Sequence, residues 1–494
     1  MKTKEEYKES LRGLRANVYK FGELIEDVTT HPATRRTVEG HGRIYEASLD
    51  REYAEMMTTT SHLTGERISR YLSILRKPED MFANSRMKRF VFNLTGTCTG
   101  GRCVGWTGLN SMWAVTYDID EKHGTDYHTR LMDWLRRAQS EDIAVCGALT
   151  DPKGDRTLPP SKQADPDMYL RVVERRDDGI IVRGAKVMIA GAAAANEIFV
   201  LPGSRYGAED ADYAISFVVP RDAEGLTIVE ARHPSDLRDL EKGFDVPSNA
   251  GGITQGYLFF EDVFIPRERV FMCGECDFTL PAVMNFIMPY RSAIGACVAG
   301  QGDVMVGAAM LVGRANGLAD KVFRDKVVNM CINNEVTFGL GIAAAAMGRQ
   351  HSSGSWICDP LLANVNKVLV AKLPCDTRNI AQDICGGIGE TGCMPSWRDF
   401  QSEEYGELVR KYLKAASDAE TRVRGARLVE WLTVGAGIPG CHHGGGSPDG
   451  AKLVIWANAG IDEKVAMARR LAGIEMKGED RGGKREGTTT RRRA

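Results

Sequence analysis

Three groups of side chains in this sequence have residue types and spacings that chemistry could use. The first is Cys98-Thr-Gly-Gly-Arg-Cys103, two thiols in a glycine-rich stretch. Soft thiolates at this spacing reach the same metal ion or iron–sulfur cluster. The alternative is a pair of buried structural cysteines, since free cysteine is among the most buried residue types. Cys273-Gly-Glu-Cys276 is formally a C-x-x-C, but no second such pair follows at zinc-finger spacing, so zinc is not expected. The second group runs from Lys122 to His128 and brings a lysine, His123, Tyr127 and His128 to a helix break. Such groups position substrates or transfer protons near neutral pH; polar residues around a turn have the same composition. The third group, Gly147 to Arg156, is a strand entering a polar loop rich in Gly and Pro. There the Thr150 hydroxyl and backbone N–H groups can hydrogen-bond the edge of a planar cofactor ring. The loop carries neither a G-x-G-x-x-G nor a Walker pattern. Two more glycine-rich turns, Asp383–Gly389 and His442–Pro448, let backbone approach a ligand closely or end a helix.

The elements that must position these groups fall in three blocks. Up to about residue 142 the chain reads as helical. Apolar residues recur every three or four positions over Lys4–Leu14, Tyr45–Leu75 and Leu109–Gln139. Residues 143–270 carry short β-rich runs bounded by Pro, Gly or Asp: IAVCGALT, GIIVRGAKVMIAG, EIFVLPG, YAISFVVP, LTIVEA and YLFFEDVFIP. Alternation over Tyr213–Val219 predicts half-buried antiparallel strands, and the block has the size of a small barrel or sandwich. Residues 271–474 return to helix, led by the Gly/Ala-rich Ala293–Ala315, with further runs at 321–347, 361–384, 403–434 and 461–471. Small residues at that density let helices approach closely. A Gly- and charge-rich tail, 475–494, is expected to be disordered. The order helix, β, helix implies an α+β fold with a β domain between two helical ones.

Composition excludes several function classes. At 494 residues the chain is too long for one simple core. Lys+Arg 64 against Asp+Glu 66 leaves a net charge of −2, so no global field attracts nucleic acid or an anionic membrane. No uninterrupted apolar run reaches the length of a membrane span. The start, MKTKEEYKESLRGLR, lacks the apolar stretch of a signal peptide, and the expected compartment is the cytoplasm. The 12 cysteines are accordingly read as thiols or as metal or cluster ligands, not disulfides.

Longer blocks carry a resemblance. RCVGWTGLNSMWAVTYDIDEKHGTDYHTR (102–130), GALTDPKGDR with PSKQADPDMYLRVVERRDDGIIVRGAK (147–186), EDVFIPRERVF (261–271), CVAGQGDVMVGAA (297–309) and HGGGSP (443–448) closely resemble the 4-hydroxybutyryl-CoA dehydratase family. The likeness covers roughly residues 5–474. That family belongs to a broader group with the two-component 4-hydroxyphenylacetate 3-monooxygenases. The resemblance implies an acyl-CoA-dehydrogenase-like fold of helical N-domain, β middle domain and C-terminal four-helix bundle, assembled as a homotetramer.

It also implies FAD between the middle domain and the bundle, with Arg102 and the loop containing Leu149, Thr150 and Lys153 around it, Ala190 nearby, and Gln382, Gly386 and Gly387 reaching it from a neighbouring subunit. A [4Fe-4S] cluster held by three cysteines and a histidine accompanies the flavin in the dehydratases. Cys103 and Cys297 match two of those cysteines, and Cys98 matches the third with a one-residue shift. The histidine position falls on Tyr290. Further departures are Ile294 and Val298 for a Tyr and a Lys beside the bundle cysteine, Gln255 and Gly440 for two glutamates, and Ala190 for a threonine. Tyr290, His123, His128 and Gln255 are the catalytic candidates. The expected function is a flavin-dependent lyase acting on a hydroxyacyl-CoA-like substrate with changed specificity. The other readings are a cluster-free, reduced-flavin-dependent monooxygenase served by a separate flavin reductase, in which Arg102, Trp106 and the Thr150 loop enclose flavin and an aromatic substrate, and a non-enzymatic flavin-binding scaffold.

Overall fold

The structure, a computed structural model, describes residues 1–96, 98, 100–233, 236, 254–434 and 442–474. The expected disordered tail and Gly440 lie outside the described residues.

The chain opens with α1 (Lys4–Arg12), whose start is fixed by a reciprocal cap. The Thr3 hydroxyl accepts the Glu6 N–H at 3.2 Å, and the Thr3 N–H donates to the Glu6 carboxylate at 2.7 Å. Two short strands follow, β1 (Val18–Lys20) and β2 (Glu23–Ile25), then α2 (Arg35–Leu49), α3 (Ala54–Met57) and a hairpin of β3 (Thr58–Thr60) and β4 (Arg67–Ser69). The helix expected over Tyr45–Leu75 therefore ends at Leu49. Three consecutive β-branched threonines favour extended backbone, and the apolar spacing of Ile68, Tyr71 and Leu72 is met by a strand and a 3-10 turn. Next come α4 (Pro78–Thr95), α5 (Gly100–His123) and α6 (Tyr127–Ser140). The last two realise the expected run over Leu109–Gln139, with the break at Gly124. There the Asp120 carboxylate accepts the N–H groups of Tyr127 and His128 at 2.9 and 2.8 Å.

All six β-rich runs become strands: β5 (Val145–Ala148), β7 (Gly179–Ala190), β8 (Glu197–Val200), β9 (Ile215–Pro220), β10 (Leu226–Glu230) and β11 (Gln255–Pro266). β6 (Arg171–Arg176) and β12 (Val270–Cys273) complete the set. They form a six-stranded sheet, β2-β1-β10-β11-β7-β6, and a four-stranded sheet, β12-β9-β8-β5. Two findings depart from expectation. The N-terminal block is not wholly helical, because β1 pairs in parallel with β10 and carries β2 to the sheet edge. Strand β9 is not half-buried: every residue from Ile215 to Val219 is buried. Its sheet is covered by α5 and α6 on one side and touches the larger sheet through β11 and β7 on the other.

The C-terminal block is built around α7 (Thr279–Ala315), a single helix of 37 residues. Around it lie α8 (Arg324–Ala346), α9 (Pro360–Val370), α10 (Leu373–Cys385) and α14 (Ala419–Thr433). The short α11 (Gly387–Glu390), α12 (Trp397–Phe400) and α13 (Gly406–Leu413) precede α14, and α15 (Pro448–Asn458) and α16 (Ile461–Leu471) end the described chain. By length and composition α7 could cross a membrane, but 67% of its most apolar window is buried inside the protein. Ala293, Ala296, Ala299, Ala308 and Ala309 are all buried by their own chain, so the small-residue stretch of α7 packs against neighbouring helices. Exposed apolar residues lie on α8 (Val328, Ile332, Val336) and on α15 and α16 (Leu453, Trp456, Leu471).

Glycine is what lets α7 and α8 touch. A Cβ on Gly295 would collide with the Thr337 carbonyl oxygen, and one on Gly341 with that of Ser292. Overpacking of this kind typically costs about 1–3 kcal/mol. Gly295→Ala is expected to lower stability by that amount, read as a lower urea midpoint at unchanged slope.

Candidate functional site

A cavity of about 1390 Å³ lies where α4, α5, the β5 and β7 strand ends and α7 meet. Phe286, Tyr290, Ile294 and Cys297 form its α7 wall. Tyr290 and Cys297 are seven residues apart, two helical turns, and so share that face. Opposite stands the Leu149–Lys153 loop, with Ala190 and Gln255 from β7 and β11, and the His443–Ser447 turn closes another side. Nine of the catalytic, cofactor and metal candidates thus border one space: Cys98, Cys103, Leu149, Thr150, Lys153, Ala190, Gln255, Tyr290 and Cys297.

The three cysteines also share a second, very small hollow with Tyr71, Lys88, Val91 and Phe92. Cys98 precedes α5, Cys103 sits in its first turn and Cys297 lies in mid-α7, so only the fold unites them. Burial pushes the Cys297 thiol up to about 12 and also raises Cys103, while the Lys88 ammonium pulls both down. Among the described residues no three His, Cys, Asp or Glu side chains converge tightly enough for a single metal ion. The cysteine trio is therefore no zinc-like centre. A cluster spreads its ligands over several irons and makes a different demand.

The Leu149–Lys153 loop is held rigidly. Lys186 on β7 donates to the Leu149 and Leu201 carbonyls at 3.2 and 2.9 Å and pairs with Asp151 at 2.5 Å. The Tyr206 hydroxyl donates to the other Asp151 oxygen at 2.8 Å, and Val187 N–H donates to the Thr150 carbonyl at 2.9 Å. Lys186 and Asp151 are both buried. Removing one partner of a buried pair typically costs about 3–5 kcal/mol. Lys186→Met is expected to lose that much stability by denaturant unfolding and, with it, the fixed position of Thr150.

The His443–Ser447 turn seats directly on Tyr290. Gly445 has φ +70°, and a Cβ there would run into the Tyr290 ring, so this position demands glycine on both counts. Arg291 Nε donates to the Gly445 carbonyl at 3.0 Å, and Arg291 also bonds Asn364. Burial lowers this guanidinium to about 10. His443 lines the cavity; its turn was singled out from sequence, but the imidazole itself was not a catalytic candidate.

Other candidates stand elsewhere. Arg102 is buried away from the cavity, over the rings of Tyr45 and Tyr71 at 4.5 and 5.1 Å and 3.6 Å from Asp142. His128 faces Thr116 Oγ1 at 2.9 Å, and burial lowers its pKa. His123 lies 3.7 Å from Asp277. Neither histidine borders the cavity. Gln382 donates to Thr433 Oγ1 at 3.3 Å, and Gly386 and Gly387 join α10 to α11; none of the three lines this chain's own cavity. Gly387–Gly392 happens to spell G-x-G-x-x-G but follows a helix, where a dinucleotide fingerprint follows a strand. Lys88 and Lys186 were missed. Lys88 sits in the inward stripe of α4 with Met81, Asn84, Ser85 and Val91, and a lysine in such a stripe is the signal that could have found it.

This chain matches known proteins along nearly all of its length. The family described as 4-hydroxyphenylacetate 3-hydroxylase N terminal matches residues 3–272, and its C-terminal counterpart matches residues 282–473. The 4-hydroxybutyryl-CoA dehydratase/vinylacetyl-CoA-Delta-isomerase of Clostridium aminobutyricum is 38% identical, covering 96% of this chain and 99% of that protein. The 4-hydroxyphenylacetate 3-monooxygenase oxygenase component of Thermus thermophilus is 27% identical over 88% of each. Among solved structures, an oxygen-tolerant archaeal 4-hydroxybutyryl-CoA dehydratase from N. maritimus superposes with a TM-score of 0.93 at 36% identity, covering 96% of both chains. An oxygenase component of 4-hydroxyphenylacetate 3-monooxygenase complexed with FAD, at TM-score 0.82 and 23% identity over 96% of this chain and 99% of that one, shares the fold. The class is thus the mixed α+β enzymes of the 4-hydroxyphenylacetate 3-hydroxylase group. Within it, the chain belongs to the 4-hydroxybutyryl-CoA dehydratase family.

Proposed function

We propose that this enzyme is a flavin-dependent lyase that dehydrates or isomerises a hydroxyacyl thioester, with FAD and a [4Fe-4S] cluster bound in the cavity described above. The observation that carries the reading is the meeting of Cys98, Cys103, Cys297 and Tyr290 on the same cavity as the Thr150 loop. FAD fits the cradle of Leu149, Thr150 and Lys153. The three cysteines fit three ligands of a cluster, and the position of the family's histidine ligand carries Tyr290. When bound, flavin supplies electron and hydrogen transfer, and the cluster supplies an iron able to act as a Lewis acid towards a substrate hydroxyl.

The chain's own residues do the rest. Lys186 and Asp151 hold the loop so that Thr150 meets the cofactor edge. Phe286 and Ile294 give the cavity an apolar wall beside the reacting groups, and the glycine turn borders it. Gln255 and Ala190 carry no acid or base, so they shape and orient only. The Tyr290 phenol holds a proton at Oη where a leaving hydroxyl can take it. His443, on the turn pressed against Tyr290, is placed to hold a second one.

The monooxygenase reading keeps one point in its favour, because Tyr290 stands where the dehydratases are expected to place a ligand. Incubation with 4-hydroxybutyryl-CoA without oxygen separates the two. Loss of water from the thioester supports the lyase. Turnover only of a phenol, with reduced flavin and oxygen, refutes it. The exposed apolar residues of α8, α15 and α16 support a further proposal, that copies of this chain bury them in a homotetramer. Light scattering is expected to give four times the chain mass; the mass of one chain at micromolar concentration contradicts it.

A further inference from the structure

We infer that Lys88 is the charge that makes the three-cysteine hollow fit for a negatively charged, thiolate-bound metal cluster, as a positioning residue and not a ligand. The inference rests on the cluster proposed above. Lys88 is 2% exposed, projecting from the inward stripe of α4. Its ammonium lies 4.3 Å from the centre of the Trp106 ring, and the residue borders both the main cavity and the hollow that holds Cys98, Cys103 and Cys297. Among the described residues no carboxylate pairs with it, although 64 lysines and arginines share this chain with 66 acids.

A buried ammonium with no carboxylate beside it is costly, and the indole face of Trp106 offsets only part of that cost. Neutral thiols do not supply a negative charge beside this ammonium. Thiolates bound to iron do supply it. Three of them, with the bridging sulfides, give the assembly a net negative charge beside Lys88. The same cation favours the reduced, more negative state of that assembly, so it sets the potential as well as the retention of the iron.

Lys88→Met keeps the apolar stem over Trp106 and removes the charge, whereas Lys88→Arg keeps the charge. Wild type and both variants are reconstituted anaerobically with iron and sulfide. Bound iron, the midpoint potential and the rate of iron loss to a chelator are then measured. Lys88→Met is expected to shift the potential to a more negative value and to lose iron about tenfold faster, the scale of outer-sphere changes, with Lys88→Arg close to wild type. A wild-type potential and wild-type iron loss in Lys88→Met overturn the inference and leave the cluster standing. A wild type that takes up neither iron nor sulfide overturns both. Should Lys88→Met fail to fold, Lys88→Gln carries the same test.

Discussion

Cys297→Ala is expected to lose iron and activity together while keeping the fold and the flavin. Cys297 lies in the middle of α7, buried, on the wall shared by the cavity and the cysteine hollow. Truncation to alanine in a helix rich in small residues leaves a void of little more than one sulfur, so the stability cost stays at about 1 kcal/mol. The functional cost is of another order, because a ligand is removed outright, and it should exceed the roughly 10–100-fold loss that outer-sphere changes produce. Cys103→Ala should behave alike. Iron and sulfide content, flavin content and turnover measured on the same preparation check this. A Cys297→Ala enzyme with full iron and full turnover shows that the thiol is only packing.

The second large effect is at Tyr290. Tyr290→Phe keeps the ring against Gly445 and Phe286 and removes only the hydroxyl. If the phenol gives its proton to the leaving group, turnover falls by about 10²–10⁴-fold while iron content stays as in wild type. If the phenol instead completes the metal site, iron falls with activity. Tyr290→His, which places the family's expected ligand at that position, should then strengthen cluster retention. The account expects the first result for Tyr290→Phe.

How much of this was legible beforehand follows from which signals are local. The β block could be read almost strand by strand, since runs such as YLFFEDVFIP and GIIVRGAK carry both propensity and turn residues at their ends. Strands β1 and β2 could not, because three residues leave no period to detect and their pairing with β10 spans some 200 residues of sequence. The stretch around Thr58 was misread because spacing of apolar residues alone does not separate a helix from a hairpin followed by a 3-10 turn.

The site divides in the same way. The cysteines and Tyr290 came from residue type and from resemblance, and the fold brings them to one wall. His123 and His128 drew notice by composition, yet they serve the α5–α6 corner, next to Asp277 and Thr116. Arg102 neighbours Cys103 in sequence but leaves the helix on another side, towards Tyr45 and Tyr71. Lys186 was hidden because a lysine in an alternating strand reads as a solvent-facing residue. Only the structure shows it buried against Asp151.

The most direct test of the central claim is an anaerobic absorption spectrum of the purified protein, taken with iron, acid-labile sulfide and flavin counts on the same sample. The account predicts the flavin bands superposed on a broad, featureless absorption that bleaches on reduction, with about four irons and four sulfides per chain and one flavin. Flavin bands alone, with no iron or sulfide even after anaerobic reconstitution, contradict it and make the three cysteines remnants in a flavin monooxygenase.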